Sequence, residues 1–449
     1  MNSKNPKDTE VVVIGLGYVG LTLSAFMSDL GMNVLGIEIR ENVIAKLQTM
    51  KAFFFEPGLD EILARTINDG SFRFHSRLEK SNSERVFIIT VGTPIDAKKK
   101  VKADSIVRVA EQLVGVINEG DLVILRSTVK LNTTRQLIQP ILEKSGKNFY
   151  IAFCPERTLE GAALSELGVL PQIIGGVNEE STRRAADFFS KITSTVVKVS
   201  NSETAELIKL VDNMQRDVRF AIANEVADIC NSEHIKATEV ISAGKLGYPR
   251  TNLPFPGPVG GPCLEKDSYI LAESLLDKKK TPLIALSARK VNENMTASIA
   301  EFLAKWFEMK HLESRPLKVA ILGIAFKGIP ETNDLRGTPA LNLLSDLKQA
   351  MPLFTEFQLW DPVVTKSEAA LEGFEFQDEL AETISNSDCI ILANNHPKIS
   401  DLSLNQISKF AIGNVLVYDI WSRHDNVTQF PQNLKYVSWG SHQVSELRA

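Results

Sequence analysis

The sequence is poor in cysteine, has no excess of positive charge and contains no long apolar run. It has four scattered cysteines, which form neither a disulfide framework nor a C-x-x-C metal motif. A formal net charge of -5 supplies no basic field for nucleic acid. No stretch approaches the roughly 18 apolar residues of a membrane helix, and the first ten residues lack a signal-peptide core. We therefore expect a cytoplasmic protein with reduced thiols, no metal site, and neither nucleic acid nor membrane as a partner.

The chain of 449 residues is longer than one hydrophobic core usually allows, so two or three domains are expected. Its 44% hydrophobic and 23% charged residues are typical of a globular enzyme. Cys154, Cys230 and Cys389 lie among apolar neighbours and are predicted to be core thiols. Cys263 differs, because it follows Gly-Gly-Pro and precedes charged residues in the stretch "PVGGPCLEKD".

Residues 10–39 predict a β-α-β unit with a G-x-G-x-x-G fingerprint. Gly15 permits the tight turn, Gly17 lets a pyrophosphate approach the backbone, and Gly20 lets helix and strand pack closely. The helix N-terminus supplies amide donors for the phosphates. Glu38 closes the second strand where an acid would bind the ribose hydroxyls of NAD. Arg40 would instead suit the 2′-phosphate of NADP, so that possibility stays open.

Further strands are predicted at "RVFIITVGTP", "DLVILRSTV", "FYIAFCPER" and "PQIIGG", with helices near residues 105–118 and 134–144. Alternating strands and helices indicate a parallel sheet, whose ligands bind beyond the carboxyl ends of the strands. Polar residues fall at such ends, and each is either a site residue or a turn former: Thr93, Thr128, Glu156 and Glu160.

A long helix is predicted from Ser202 to about residue 235, with Ser202 as its cap. At 100° per residue, one face is apolar and is expected to be core: Leu207, Val211, Met214, Val218 and Ile222. The opposite face carries Lys209, Asn213, Arg216 and Asn224. It is either a solvated face or a functional one, and its poor helix formers favour function.

A second α/β domain begins after a polar break, and its opening at residues 320–327 resembles the first unit with an incomplete glycine fingerprint. We expect it to bind no second dinucleotide. The predicted fold class is α/β, with two Rossmann-like doubly wound domains joined by a central helical domain. The predicted boundaries are 1–199 for the first α/β domain, which would bind the dinucleotide, 200–312 for the helical domain and 313–449 for the second α/β domain.

Several motifs in order resemble the UDP-glucose/GDP-mannose dehydrogenase family of nucleotide-sugar 6-dehydrogenases. They are "VIGLGYVGL", "EPGL", "VGTP", "RSTV", "CPERTLEG", "ELIKLVDN", "GGPCLEKD", "AFKG" and "DLRGTPAL". Within the family, "PERTLEGAALSELGVLPQIIGG" and "NMQRDVRFAIANE" most resemble the branch that acts on UDP-N-acetylmannosamine. The resemblance implies an NAD-dependent oxidoreductase of polysaccharide biosynthesis that forms a homodimer or a higher homo-oligomer.

The resemblance also implies a chemical role for the cysteine. Oxidation of a primary alcohol to an acid removes two hydrides, and Cys263 would hold the intermediate as a thiohemiacetal and then a thioester. Lys209 and Lys266 would favour the thiolate, whereas Glu265 and Asp267 would oppose it. The remaining implied catalytic residues are Lys209 and Asn213 for the oxyanion, Thr128 and Asp267 for water, and Glu156 as general base.

By the same resemblance, binding residues are assigned by position. The cofactor would contact Gly15, Gly17, Tyr18, Val19, Gly20, Glu38, Arg40, Thr93, Thr128 and Arg336. The UDP-sugar would contact Glu160, Lys209, Asn213, Arg250, Gly260 and Lys327.

The chain departs from the family at three places. Pro262 stands where the N-acetylmannosamine branch commonly has His, "STVKLNT" replaces "STVPPGT", and two extra residues separate Lys327 from Arg336. UDP-N-acetylglucosamine and UDP-glucose therefore stay open as substrates. Two more remote functions also stay open: a two-electron 3-hydroxyacid or 6-phosphogluconate-like dehydrogenase, and a non-catalytic nucleotide-binding protein.

Overall fold

Short apolar runs alternate with amphipathic segments in the sequence. In the computed structural model the apolar runs form two β-sheets, and the segment between them in the chain is helical. The structure describes residues 10–309, 316–371, 375–411 and 413–442. The chain divides into two units. The first takes in residues up to Asn213 and then Lys266–Pro282, and the second takes in Met214–Glu265 and the residues from Leu283 on. The boundary predicted between residues 312 and 313 lies outside the described residues.

The first unit is built on an eight-stranded sheet of order 3-2-1-4-5-6-7-8. Its strands are β1 (Glu10–Ile14), β2 (Asn33–Ile37), β3 (Phe72–His75), β4 (Arg85–Ile89), β5 (Leu122–Leu125), β6 (Tyr150–Phe153), β7 (Gln172–Gly176) and β8 (Val196–Lys198). β1 is buried on both faces, as parallel strands usually are, because a core cluster covers each side of it.

One strand pair departs from the predicted parallel sheet. β7 runs antiparallel to β6, with Ala152 opposite Gly176. A parallel pair needs a crossover that returns the chain to the starting edge of the sheet. The connection between these two strands contains only a five-residue helix, Ala163–Leu167, which rises about 8 Å. The prediction of a parallel arrangement was wrong for this pair.

The helices of the first unit before residue 200 are α1 (Tyr18–Asp29), α2 (Glu41–Gln48), α3 (Leu59–Asn68), α4 (Asp104–Val114), α5 (Gln139–Glu143), α6 (Ala163–Leu167) and α7 (Glu179–Phe189). The helix predicted to start near residue 134 begins as a π-helical turn, Thr133–Ile138, and continues as α5. Asn132 precedes that turn with a left-handed φ of 69°. This conformation is one that Asn tolerates better than most residues.

The predicted long helix is α8 (Ser202–Glu233), and it is followed by α9 (Ala237–Lys245), α10 (Gly261–Leu264), α11 (Asp267–Glu273) and α12 (Leu283–Glu308). Ser202 is not its cap. The Asn201 side chain accepts a hydrogen bond from the Thr204 amide at 2.8 Å, whereas the Ser202 hydroxyl donates to Glu203. Asn201 therefore caps the helix, one residue before the predicted position.

The apolar face of α8 is not the core that was predicted. Leu207, Val211 and Ile222 are exposed, at 39%, 40% and 44%, whereas Met214 and Val218 of the same stripe are half-buried. The stripe expected to be polar is buried at Lys209, Asn213 and Asn224 and exposed only at Arg216. Buried polar groups cost free energy unless they are paired, so this stripe requires partners from other segments of the chain.

The second unit contains a five-stranded parallel sheet of order 10-9-11-12-13. Its strands are β9 (Lys318–Leu322), β10 (Glu356–Trp360), β11 (Cys389–Leu392), β12 (Val415–Asp419) and β13 (Leu434–Ser438). Its remaining helices are α13 (Pro339–Ala350), α14 (Lys366–Leu371), α15 (Leu380–Ile384), α16 (Pro397–Ser400) and α17 (Leu404–Phe410). The fold class is confirmed. No helix within the described ranges is long and apolar enough to cross a membrane.

Candidate active site

The loop after β1 is shaped to admit a pyrophosphate. Gly15 has a φ of 95°, which favours glycine. A Cβ on Gly20 would lie 1.9 Å from the Gly15 carbonyl oxygen and 2.6 Å from the Thr90 hydroxyl, so α1 packs against the loop only because that atom is missing. A Cβ on Gly17 would meet nothing within 4 Å, so the backbone there faces open space where the helix begins. These residues fit a dinucleotide phosphate.

Glu38 follows β2 and is hydrogen-bonded to the glycine loop. Its carboxylate accepts hydrogen bonds from the Leu16 amide at 3.1 Å and the Arg40 amide at 2.9 Å, and it pairs with the Arg40 guanidinium at 2.8 Å. Burial would raise the pKa of Glu38, but the bonds from Arg40 and Leu16 outweigh burial and lower it. An open cavity of about 530 Å³ begins one residue further on, lined by Ile39, Ile44, Ala45 and Arg77.

Tyr18 and Glu56 form a link that the sequence alone did not predict. The Tyr18 hydroxyl donates to the Glu56 carboxylate, and the Gly161 amide donates to that carboxylate at 2.8 Å. Burial and the neighbouring Glu56 hold the pKa of Tyr18 well above its ordinary range. Tyr18 therefore anchors the segment beside Glu160, which is half-buried. The motif "EPGL" was the available signal for Glu56. Val19 is half-buried in the same turn.

The ends of β4 and β5 are joined through their threonines. The Thr93 hydroxyl donates to the Thr128 carbonyl oxygen at 2.5 Å, and the Ser127 hydroxyl donates to the Val91 carbonyl oxygen at 2.6 Å. Thr93 is buried, whereas Thr128 is half-buried. Both thus lie at the carboxyl end of the sheet, the edge at which such sheets bind ligands.

Glu156 is held by a buried cation. Its carboxylate pairs with Arg126 at 2.6 Å and also accepts the amides of Arg157 and Thr158 at 2.7 Å each. Burial would raise the pKa of Glu156, but the Arg126 charge and these hydrogen bonds outweigh burial and lower it. The carboxylate is consequently an anion at neutral pH. Arg126 belongs to the motif "RSTV", but the motif alone did not identify it as a site residue.

The buried stripe of α8 is paired within the first unit. The Lys209 ammonium donates to the Glu156 carbonyl oxygen at 2.6 Å. One turn later, the Asn213 amide donates to the Asp267 carboxylate at 2.6 Å. Lys266 pairs with the other carboxylate oxygen of Asp267 at 2.8 Å. These two pairs lie one helical turn apart on α8 and are called the polar cluster below: Lys209, Glu156, Asn213 and Asp267. Their catalytic roles stay predictions.

In the second unit, Cys263 lies on the single turn α10. Gly261 precedes it with a φ of 88°, and the Gly261 amide donates to the Gly337 carbonyl oxygen at 2.7 Å. The Arg289 guanidinium donates to the Leu264 carbonyl oxygen at 3.1 Å and pairs with Asp217 at 2.7 Å. The turn is thus fixed on both sides of the cysteine.

The four thiols differ in environment. Cys263 is half-buried, whereas Cys154, Cys230 and Cys389 are buried, which confirms their prediction as core thiols. Burial raises the pKa of each of the three buried thiols above its ordinary value. A buried thiol with a raised pKa is a poor nucleophile, because the thiolate is the reactive form.

The remaining predicted binding residues also lie in the second unit. Gly260 packs so closely that a Cβ would meet the Gly337 carbonyl oxygen at 2.3 Å. Arg250 is exposed and lies over the Tyr248 ring at 5.4 Å, and Lys327 lies over the Phe326 ring at 5.4 Å. Arg336 pairs with Asp334 at 2.5 Å. The roles of these residues stay predictions. Across the described residues, no group of three or more His, Cys, Asp or Glu side chains could hold a metal ion.

Comparison with known proteins covers nearly the whole chain. Three models of the UDP-glucose/GDP-mannose dehydrogenase family match it: the NAD binding domain at residues 9–193, the central domain at 203–294 and the UDP binding domain at 320–426. A UDP-N-acetyl-D-mannosamine dehydrogenase of Pyrococcus horikoshii is 31% identical over 89% of this chain and 92% of its own.

Solved structures agree. The structure of the UDP-D-ManNAc dehydrogenase of Pyrococcus horikoshii has a TM-score of 0.86 at 29% identity, covering 97% of this chain and 100% of its own. That of a UDP-N-acetyl-mannosamine dehydrogenase from Staphylococcus aureus has a TM-score of 0.81 at 27% identity, covering 97% and 99%. The resemblance seen in the motifs is confirmed, and so is NAD as the cofactor. The chain belongs to the UDP-glucose/GDP-mannose dehydrogenase family of NAD-dependent oxidoreductases.

Proposed function

We propose that this UDP-sugar dehydrogenase oxidises the C6 alcohol of UDP-N-acetylmannosamine to the carboxylic acid, with the intermediate held on Cys263. The alcohol loses a hydride and a proton to become an aldehyde. The thiol adds across the aldehyde carbonyl to give a thiohemiacetal, which loses a second hydride and a proton to become a thioester. Water cleaves the thioester, releasing the acid and the thiol. NAD⁺, when bound, accepts each hydride in turn.

One observation carries the proposal: the polar stripe of α8, which could have been a solvated face, is instead buried and paired at Lys209 and Asn213. Placing an ammonium in a buried position costs free energy that an apolar residue would avoid. An ammonium has three protons, and the bond to Glu156 uses one. We assign the others to the oxygen that becomes negative when the thiol adds and when water attacks.

The other groups of the cluster have separate roles in the proposal. Asp267, held by Asn213 and Lys266, positions water with the Thr128 hydroxyl. Glu156 is anionic and accepts the proton of the attacking water. Its depressed pKa makes it a weak base, so its value lies in being ionised at every pH at which the enzyme works.

The domain assignment is part of the proposal: 1–199 for NAD, 200–312 for the catalytic helices and 313–449 for UDP. The individual contacts are proposed from the family motifs, residue by residue. Glu160, Arg250, Gly260 and Lys327 contact the UDP-sugar, and Arg336 reaches the cofactor phosphates. The choice of N-acetylmannosamine is supported by the names of the similar proteins.

The test measures NADH and acid formed by the purified enzyme with NAD⁺ and a panel of UDP-N-acetylmannosamine, UDP-N-acetylglucosamine and UDP-glucose. We expect two NADH per acid, with UDP-N-acetylmannosamine giving the highest kcat/KM. Cys263→Ser should abolish acid formation. Cys230→Ala, which removes a buried thiol, is the matched control and should retain turnover. One NADH per product, with Cys263→Ser active, would instead establish a two-electron dehydrogenase.

We also propose that two copies associate through the apolar stripe of α8, which is exposed at Leu207 and Val211 and half-buried at Met214 and Val218. Leu207, Val211, Met214 and Val218 follow the alternating four- and three-residue spacing of helices that pair through an apolar seam. Such a seam is self-complementary in a twofold dimer. Light scattering should give at least a dimer for the wild type and a lower mass for Val211→Lys. Val169→Lys, which changes an exposed valine elsewhere, should not alter the mass.

A further inference from the structure

Arg126, the residue after β5, places a guanidinium in the interior of the first unit. The residue is only 4% exposed. Its guanidinium bonds to the Glu156 carboxylate at 2.6 and 2.9 Å, to the Gln172 side-chain oxygen at 2.7 Å and to the Cys154 carbonyl oxygen at 3.2 Å. The ring of Phe189 lies 5.4 Å from its central carbon. Four neighbours thus fix the plane of this side chain.

A buried ion pair of this kind is weak evidence for stability. Removing an arginine and a carboxylate from water costs about as much free energy as their attraction returns, and apolar residues of similar size often serve a fold equally well. An arginine also stays charged wherever it is placed, whereas a lysine can lose its proton. Arg126 is therefore a costly choice for the interior unless its charge has a use.

Arg126 and two backbone amides together fix the orientation of the Glu156 carboxylate. One carboxylate oxygen takes the Arg126 bonds, while the other takes the amides of Arg157 and Thr158. Glu156 therefore cannot rotate without breaking bonds at both oxygens. Its own carbonyl oxygen receives the Lys209 ammonium at 2.6 Å. The Lys209 ammonium therefore contacts the backbone of the residue whose carboxylate Arg126 holds.

The charges around the Glu156 carboxylate come from three segments. Arg126 contacts it directly, and the Lys209 ammonium of α8 lies on the carbonyl oxygen of the same residue. The Arg157 guanidinium pairs with Asp212 at 3.1 Å, which offsets its charge. The thiol of Cys154 is neutral, because burial raises its pKa. Arg126 is the cation that most directly opposes the effect of burial on the carboxylate.

We propose that Arg126 is a positioning residue for thioester hydrolysis: it sets the place and the charge of the Glu156 carboxylate. The proposal rests on the proposed function, because it concerns the step in which water releases the acid from Cys263. The proton of that water passes to the Glu156 carboxylate while the carbon–sulfur bond breaks and the sulfur leaves as the thiolate.

The test compares Arg126→Met, which keeps the length of the side chain without its charge, with Arg126→Lys, which keeps the charge without the fork. Arg183→Met, on the exposed face of α7, is the matched control. The readouts are kcat for acid formation from pH 5 to 9 and the mass of the protein during the first turnovers. A purely structural defect would lower kcat equally at every pH.

In Arg126→Met, burial is no longer opposed by a direct cation, so we expect the acidic limb of the kcat profile to move up to about pH 8, as carboxyls buried without a cation can show. At pH 7, acid formation should fall at least tenfold, the enzyme should accumulate as its thioester adduct, and activity should recover partly at pH 9. Arg126→Lys should restore most of the profile, and Arg183→Met should match the wild type.

The proposal is overturned if Arg126→Met has the wild-type pH profile, or a uniform loss with no adduct. If Arg126→Met does not fold, Arg126→Gln, which keeps hydrogen-bond donors without the charge, decides: a raised acidic limb supports the proposal and an unchanged one overturns it. The number of NADH molecules that the wild type forms per acid distinguishes failure of this inference from failure of the proposed function. Two NADH per acid with an unchanged Arg126→Met profile removes this inference alone, whereas one NADH per product removes the proposed function and this inference together.

Discussion

The side-chain amide of Asn213 donates a hydrogen bond of 2.6 Å to the carboxylate of Asp267, and both residues are buried. Because the bond fixes the carboxylate, we expect Asn213→Ala to lower kcat by about tenfold or more. Asp267→Asn, which also leaves Lys266 without its anionic partner, should lower kcat by about a hundredfold.

The double variant discriminates a shared role from two separate ones. If both residues act through one bond, Asn213→Ala combined with Asp267→Asn should be no slower than Asp267→Asn alone. Multiplicative losses in kcat would show that they act independently. Glu225→Gln, an exposed change on the same helix, is the control and should leave kcat unchanged.

Cofactor choice should depend on Glu38, whose carboxylate is paired with Arg40 at 2.8 Å. This carboxylate would repel a 2′-phosphate, so we expect kcat/KM for NAD⁺ to exceed that for NADP⁺ by about a hundredfold, or roughly 3 kcal/mol. Glu38→Ser should reduce the preference to about tenfold or less, because Arg40 then faces the phosphate unopposed. Adding Arg40→Ala should weaken NADP⁺ use again, and steady-state kinetics with both cofactors would show whether it does.

The loop after Thr128 is held to the segment after Asp267 by Glu273. One oxygen of Glu273 accepts the Val101 amide at 2.6 Å and the other pairs with Lys130 at 3.0 Å. We expect Glu273→Ala to lower the free energy of unfolding by about 1–3 kcal/mol, because the amide of half-buried Val101 loses its acceptor and Lys130 loses its ion pair. Asp187→Ala, which breaks an exposed pair with Arg183, should cost less than about 0.5 kcal/mol. Equal shifts in the urea midpoint of unfolding for Glu273→Ala and Asp187→Ala would contradict this role of Glu273.

Stability should vary with pH through Glu206, at the start of α8. Its carboxylate accepts bonds from the Asn132 and Thr134 amides at 2.6 and 2.8 Å, yet burial outweighs them and raises its pKa from 4.5 to about 7. Folding therefore favours the protonated form. The stabilisation is complete below about pH 4.5 and is lost as pH rises through about 7, an effect of at most about 3 kcal/mol.

Glu206→Gln removes this titration. Relative to the wild type, the variant should gain stability between pH 5 and pH 8, measured as the difference in urea midpoint at each pH. Parallel curves for the two proteins would contradict the assignment. Glu143→Gln, at the exposed last residue of α5, is a control whose stability should vary with pH as that of the wild type does.

The fold was largely predictable because its signals are local. The apolar runs that became β1, β4 and β5 and the glycines at 15, 17 and 20 each specify their own conformation within a few residues. The reversed strand β7 was not predictable in this way, because its direction depends on how the chain returns from β6. Strand direction is a property of the connection and leaves no mark on the apolar run itself.

The faces of α8 show where hydrophobicity misleads. The apolar side of this helix is exposed at Leu207 and Val211, and Lys209 and Asn213 are buried. Polar side chains enter an interior when partners elsewhere in the chain satisfy them, here Glu156 and Asp267. A helical wheel contains no information about such partners. The same reasoning explains why Arg126 was not identified from the sequence. Its side chain is buried and paired with Glu156, and the motif "RSTV" does not indicate either property.

The contrast between one half-exposed thiol and three buried thiols means that the natural chain carries its own attachment point for a probe. A maleimide dye at neutral pH should react with Cys263 well before Cys154, Cys230 or Cys389. The fluorescence of the attached dye would report on conformational changes of the turn at Gly261. The other three cysteines would not first have to be removed by mutation. The number of dye molecules bound per chain would at the same time give the fraction of chains whose Cys263 thiol is reduced and accessible.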